Sequence, residues 1–295
     1  MLSWPEASAV AGIHGRMQVA AQRLRLPFRG RTWRGESGNW QGAGVGSSID
    51  FQDHRQYLPG DDPRYIDWQA YARTGHYTMK LYREEVSPRV DLVLDVSPSM
   101  FFDQEKSIRA LELFYFAAES AQQAGSSLRC HVANGSGTRP WMPEAMLGSR
   151  ELPRIEEAPR AATAPAFARV PWRQGSMRVI VSDLLFPGSP EPLLASLATN
   201  KGRGLIFVPH CSAEVEPDWS GNLEMVDCET DEQRVQHIGP DLLARYVDSY
   251  ARHFAIWKEQ ARRHAVLIAR VAAESEFHEA LRSDAMRAGA VEWTQ

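Results

Sequence analysis

Asp95, Ser97 and Ser99 stand at the end of an apolar run, VDLVLDVSPSM (90–100), and offer a carboxylate and two hydroxyls at one point. Residues at i, i+2 and i+4 just past a strand can wrap their side chains around a common centre. Hard divalent cations such as Mg²⁺ are held by that kind of oxygen set, usually with several waters retained. A second apolar run, MRVIVSD (177–183), also ends on a carboxylate, Asp183. In a parallel sheet, sites form outside the carboxyl ends of the strands, so these two carboxylates meet if their strands are neighbours. The competing role for Asp95 and the serines is structural, as turn and cap residues of the following loop.

Other chemistries lack their residues. An aspartyl-phosphate hydrolase needs a second carboxylic acid two residues after its nucleophile, and that position holds Ser97. There is no GxSxG elbow to present a nucleophilic serine and no phosphate loop ending in Lys-Ser/Thr. His278-Glu279 is not followed by a histidine three residues on, and His210-Cys211 reads as a packed strand end. The three cysteines, Cys130, Cys211 and Cys228, lie in or beside apolar runs without metal-ligand spacing, which predicts buried thiols in a reducing compartment.

The elements that must position these residues follow from the rest of the chain. With 295 residues, 43% hydrophobic and 24% charged, the composition is that of a globular protein. A net charge of −4 argues against a nucleic-acid binder. No apolar stretch approaches the ~20 residues needed to cross a bilayer, and no signal-like segment opens the chain, which together predict a cytoplasmic location. Six arginines within the first 35 residues (Arg16, Arg23, Arg25, Arg29, Arg31, Arg34) face Glu6 alone, as a solvated helix face or a patch for an acidic partner.

Helical spacing predicts a helix over 7–26, closed by Pro27, followed by a Gly-rich loop over 30–51. From residue 89 a βαβ rhythm takes over. It gives strands at 90–95, 127–134, 177–183, 203–210 and 265–271, and a helix from Asp103 to Gly125. Further helices are predicted over 191–200, 240–264 and 274–288, a hairpin over 223–238, a short antiparallel piece at RPWM, and a short helix within 149–176. The sum is an α/β fold: a doubly wound, mostly parallel sheet with an N-terminal extension. No GxGxxG follows the first strand, so a dinucleotide is not expected.

Residues 50–88 differ in kind. Around the turn Pro59-Gly60-Asp61-Asp62-Pro63, Arg55, Arg64, Arg73 and Asp67 interleave with Tyr57, Tyr65, Trp68 and Tyr71. That mixture predicts a compact unit in which Arg forks dock carboxylates beside aromatic faces, serving as a brace or as a partner surface. TMKLYREEV then reads as a strand leading toward the main sheet. The divisions are 1–36, an amphipathic helix and basic segment; 37–88, this unit, with a small β element; and 89–290, the sheet domain.

DVSPSM, at the end of the first core strand, resembles the Asp-x-Ser-x-Ser signature of von Willebrand factor A domains, and IVSDLL supplies the later aspartate. The block R-x-Y-x-PGDDPRxIDWxAxARTG (Arg55 to Gly75), with KLYREE after it, is similar to the hallmark of the bacterial family called domain of unknown function fifty-eight. The resemblance covers about residues 37–290. It implies a von Willebrand A-like domain, often encoded beside MoxR-type AAA+ ATPases. It also implies a metal set of Asp95, Ser97, Ser99 and Asp183 with a threonine, for which Thr163 is the best-placed candidate beside Thr138. The ion, Mg²⁺ or else Mn²⁺ or Ca²⁺, would be bridged by a partner's acidic side chain. The expected function is a non-enzymatic, metal-dependent protein-binding adaptor working with such an ATPase or its client. Arg55, Tyr57, Asp61, Asp62, Arg64, Asp67, Trp68 and Arg73 would form a second contact surface. The alternatives are a metal-assisted hydrolase using Asp95 and Asp183, or a structural domain with a vestigial metal site.

Overall fold

The computed structural model describes residues 7–28, 49–84, 88–135, 137–141 and 163–294, with the backbone alone for 7–11, 49–53 and 80–84. The expected Gly-rich loop, up to residue 48, lies outside the described residues, as does 149–162 of the segment 149–176 expected to hold a short helix; its described part carries a 3-10 turn at Phe167–Arg169. The chain forms two compact units: residues 1–33 with 88–295, and residues 34–87.

The larger unit is built on a six-stranded sheet. Its strands are β4 (Arg89–Asp95), β5 (Ser127–Ala133), β6 (Thr138–Trp141), β7 (Met177–Val181), β8 (Arg203–His210) and β11 (Leu267–Ala272). Their spatial order is β11-β8-β7-β4-β5-β6, parallel throughout except for β6, which pairs antiparallel on the edge. From β4 the chain goes out to β5 and β6 on one side and returns to β7 on the other. The gap between the ends of β4 and β7 is therefore the topological switch point, where open α/β sheets form their sites.

The central strands β4 and β7 are near-continuous buried runs because both faces of the sheet are covered there. On one face Leu92, Leu94, Val179, Val181 and Phe207 pack against α1 (Ala7–Arg23), α3 (Gln104–Gln123) and the chain's last helical turns. On the other, Val93, Ile180, Ile206 and Val208 meet α4 (Glu191–Ala198) and α6 (Pro240–Arg263) through Leu194, Leu197, Phe254 and Trp257. Asp103 caps α3 by accepting from the Lys106 amide at 2.8 Å, and Gly125 (φ +65°) takes the left-handed turn that ends it.

Helix α1 packs within this unit. Ile13, Met17 and Ala20 are buried in the α3 core; Arg16 bonds Glu112 at 2.9 Å and His14 bonds Glu119 at 2.7 Å. Part of the N-terminal basic charge is thus answered inside the fold. The strand β1 (Leu24–Arg25) pairs antiparallel with β12 (Glu292–Trp293), a closure that sequence periodicity did not indicate. Cys130 and Cys211 are buried as expected, but Cys228, on a hairpin tip, is exposed.

In the smaller unit β2 (Ile49–Gln56) and β3 (Thr78–Glu84) form an antiparallel pair of their own. TMKLYREEV thus supplies a strand, β3, as expected, paired with β2 and preceding the first strand of the main sheet in the chain. Asp62 caps a 3-10 turn at Pro63–Tyr65, and Asp67 caps α2 (Trp68–Thr74), which ends at Gly75 with φ +72°. Among the described residues no helix is long and apolar enough to cross a membrane.

Candidate functional site

Asp95 is the last residue of β4, and Ser182 and Asp183 directly follow β7, so the switch point brings both predicted carboxylates to one rim. Asp95 is 1% exposed and Asp183 2%. Asp95 Oδ1 accepts from the Ser97 amide at 2.9 Å and the Ser97 hydroxyl at 2.5 Å; Oδ2 accepts from the Ser182 hydroxyl at 2.6 Å. Burial pushes the Asp95 carboxyl up to about 7, the charge of Asp183 adds in the same sense, and the serine donors oppose it. Immediately after Asp183, Leu184 is held at φ +59° while fully buried. A bulky side chain in that region is strained, and such strain tends to gather at sites.

The partner of Asp183 was not foreseen. Lys106, in the first turn of α3 and fully buried, donates from Nζ to Asp183 Oδ2 at 2.9 Å and to Glu214 Oε1 at 2.6 Å. Burial works against its charge, yet Asp183 and then Glu214 outweigh that effect and its pKa is raised. Glu214 lies in α5 (Ser212–Val215) and also accepts from the Cys211 amide at 3.0 Å. Burial, with Glu214 beside it, pushes the Cys211 thiol up to about 12, so it is inert at neutral pH. One sequence signal could have found Lys106: it falls on the buried stripe of α3 with Ala110, Leu113 and Ala117.

Glu229 is a third residue that the sequence does not single out. It sits at the tip of the hairpin β9 (Gly221–Val226) and β10 (Gln233–Ile238), where Asp227 braces the turn and Asp231 takes φ +56°. Glu229 Oε1 accepts from the Ser99 amide at 2.9 Å. Burial raises its pKa, the Ser99 bonds lower it and the Asp183 charge raises it again.

Whether these residues fit the divalent ion that the motif resemblance implies is decided by their donors and acceptors. Both oxygens of Asp95 face hydroxyl or amide donors. Asp183 Oδ1 accepts from the Leu185 amide at 3.0 Å while Oδ2 holds the ammonium. Thr163 is exposed and lies against Gly135, past the end of β5. Among the described residues, no group of three or more His, Cys, Asp or Glu is set to hold a metal ion. The set does not fit a resident divalent ion: its carboxylates are already satisfied, and a positive charge stands beside Asp183.

In the smaller unit the predicted contact residues pair largely among themselves. Arg55 forks onto Asp61 at 2.7 and 2.6 Å, and Arg64 onto Asp62 at 2.9 and 2.6 Å. His54 meets Asp67 at 2.9 Å, and Arg73 reaches the Gln69 carbonyl at 3.4 Å. Tyr71 stacks on Tyr77 at 4.5 Å, with Trp68 edge-on to both and Tyr57 at 6.2 Å from Tyr77. Trp68 is 59% exposed, so this aromatic group faces solvent.

A family model described as "Protein of unknown function DUF58" matches residues 53–256. Uncharacterized proteins of Mycobacterium bovis and of two Mycobacterium tuberculosis strains are 28% identical over 217 residues, spanning 69% of this chain and 68% of theirs. Among solved structures, the conserved hypothetical protein BatB from Bacteroides thetaiotaomicron matches at 9% identity and a TM-score of 0.28, over 60% of this chain and 98% of that one.

Proposed function

This chain belongs to the family described as "Protein of unknown function DUF58", and from that premise we propose that it is a non-enzymatic protein-binding adaptor. The sheet unit is a von Willebrand factor A-like domain in this reading, and a partner docks an acidic side chain at the rim between β4 and β7. The observation that supports it is Glu229: a half-buried carboxylate already rests on the Ser99 amide, at the first turn after the DVSPSM motif. A loop that accepts a carboxylate from its own hairpin presents the donor that a partner's Asp or Glu needs. The partner implied by the hallmark block is a MoxR-type AAA+ ATPase or its client, with the exposed Trp68 group as a second contact.

An enzymatic reading draws on the Asp95 carboxyl, whose pKa of about 7 suits a general base. Its two oxygens are bonded inward to Ser97 and Ser182, so it reaches no substrate. The test uses the purified chain with the MoxR-type ATPase of the same organism, and p-nitrophenyl phosphate and casein as generic substrates. Wild type should bind and show no turnover. Glu229→Ala, folded by circular dichroism, frees the Ser99 amide and should tighten binding by about tenfold, roughly 1.4 kcal/mol; binding unchanged in this variant would argue against docking at that amide. Turnover lost in Asp95→Asn would replace the adaptor by a hydrolase.

A further inference from the structure

We propose that Lys106 is the permanent cation of this rim, so that the site works without a divalent metal. The Lys106 ammonium holds Asp183 and Glu214 together, two carboxylates from separate segments, the loop after β7 and the short helix α5 after β8. A metal ion joined to the same acids would do the same, by neutralising their charge and fixing the segments that carry them. The inference concerns the same rim as the docking reading but needs no partner, so either can fail alone.

Three features carry it. The first is place: Lys106 lies in the first turn of α3, where the helix dipole disfavours a cation, and its side chain is fully buried. A lysine is tolerated there only because two acids answer it; a stabilising core residue would be apolar. The second is space. Nζ is 2.9 and 2.6 Å from the two carboxylate oxygens, and Mg²⁺ bound to either would need ligands at about 2.0–2.1 Å in octahedral array. The ammonium fills the volume between the acids, and a second cation there meets its full repulsion in a dehydrated setting. The third is enclosure. The Phe102 ring lies 5.0 Å from Nζ, and Tyr246 anchors the Glu214 segment by donating to its carbonyl at 2.9 Å. Asp95 completes the group with a hydroxyl or amide donor on each oxygen and needs no ion of its own.

Mn²⁺ is the probe, followed by water-proton relaxation and by thermal unfolding of the full chain with Mn²⁺ or with EDTA. Wild type should show no rim-bound Mn²⁺ up to about 1 mM, and the same midpoint in both conditions. Lys106→Met leaves Asp183 and Glu214 facing each other unanswered, so its midpoint should fall by about 10 °C. Mn²⁺ should restore much of that loss and bind at one equivalent. If Lys106→Met does not fold in EDTA, Lys106→Met with Glu214→Gln relieves the repulsion and should still gain Mn²⁺ binding that Asp183→Asn removes. Stoichiometric Mn²⁺ binding by wild type that is lost in Asp95→Asn or Asp183→Asn overturns the proposal. So does a Lys106→Met protein as stable as wild type and indifferent to Mn²⁺. Wild-type binding that both Asp95→Asn and Asp183→Asn leave intact lies elsewhere and leaves the rim metal-free, as proposed.

Discussion

Asp95 carries the main pH dependence of the rim. An ordinary aspartate titrates near 3.9, whereas burial and the charge of Asp183 push Asp95 up to about 7. The folded protein therefore holds this proton more tightly than the unfolded chain does. The stabilisation linked to it is fully present below the unfolded value and is lost as pH rises through 7. Asp95→Asn keeps the shape and an acceptor for the serines while removing the titration. Wild type should lose stability relative to Asp95→Asn between about pH 4 and pH 7, read as a falling difference in unfolding midpoint from pH 4 to 9. Parallel profiles for the two proteins across that range would mean that the Asp95 carboxyl is ionised at no cost in the fold.

Helix α3 ties the rim to the core, and its capping residue sets where Lys106 points. Asp103 accepts from the backbone amide of Lys106 itself, so the cap fixes the turn that delivers the ammonium. Asp103→Ala should cost about 1 kcal/mol, with most of it recovered in Asp103→Ser, both measured by denaturant unfolding; an unchanged midpoint would mean that burial alone positions the turn. The element scale also shows what could be read in advance. The start of α3 at Asp103 and its end by Gly125, the strand 203–210, the helix 240–264 and the hairpin turn at Thr230-Asp231 are local matters of periodicity and turn chemistry, and they were legible. So was the meeting of Asp95 and Asp183, because both sit at strand ends. Glu214 and Glu229 were not, since a charged residue on a short helix or hairpin carries no local sign that distant segments will enclose it; Lys106 shows its burial by its place on the apolar stripe of α3, but not the acids it meets. The helix expected over 274–288 shortens to Phe277–Ala280 and widens into a π turn at Leu281–Ala285, because the chain must turn back to lay β12 beside β1. Two-residue strands leave no pattern to read.

At the scale of the molecule, the two units rest on different amounts of core. In the sheet unit, β4 and β7 are hydrogen-bonded on both edges and buried on both faces. Opening them exposes the apolar layers on both sides, so their amides should exchange only through global unfolding. In the smaller unit, among the described residues, β2 and β3 pair with each other and β3 adds one bridge, Met79 to Ile66; among residues with described side chains the buried apolar ones are Ile66 and Met79. Its Arg–Asp pairs are largely solvated and add little, and a two-stranded hairpin is marginal without further packing. Among the described residues, two capped turns and a stacked aromatic group with Trp68 on the outside contribute to its stability. Hydrogen exchange on the full chain should show the amides of β2 and β3 exchanging on the order of a hundredfold faster than those of β4 and β7. Equal protection in the two sets would mean that both units open in one cooperative step, and the smaller unit would then owe its order to more than its own contacts.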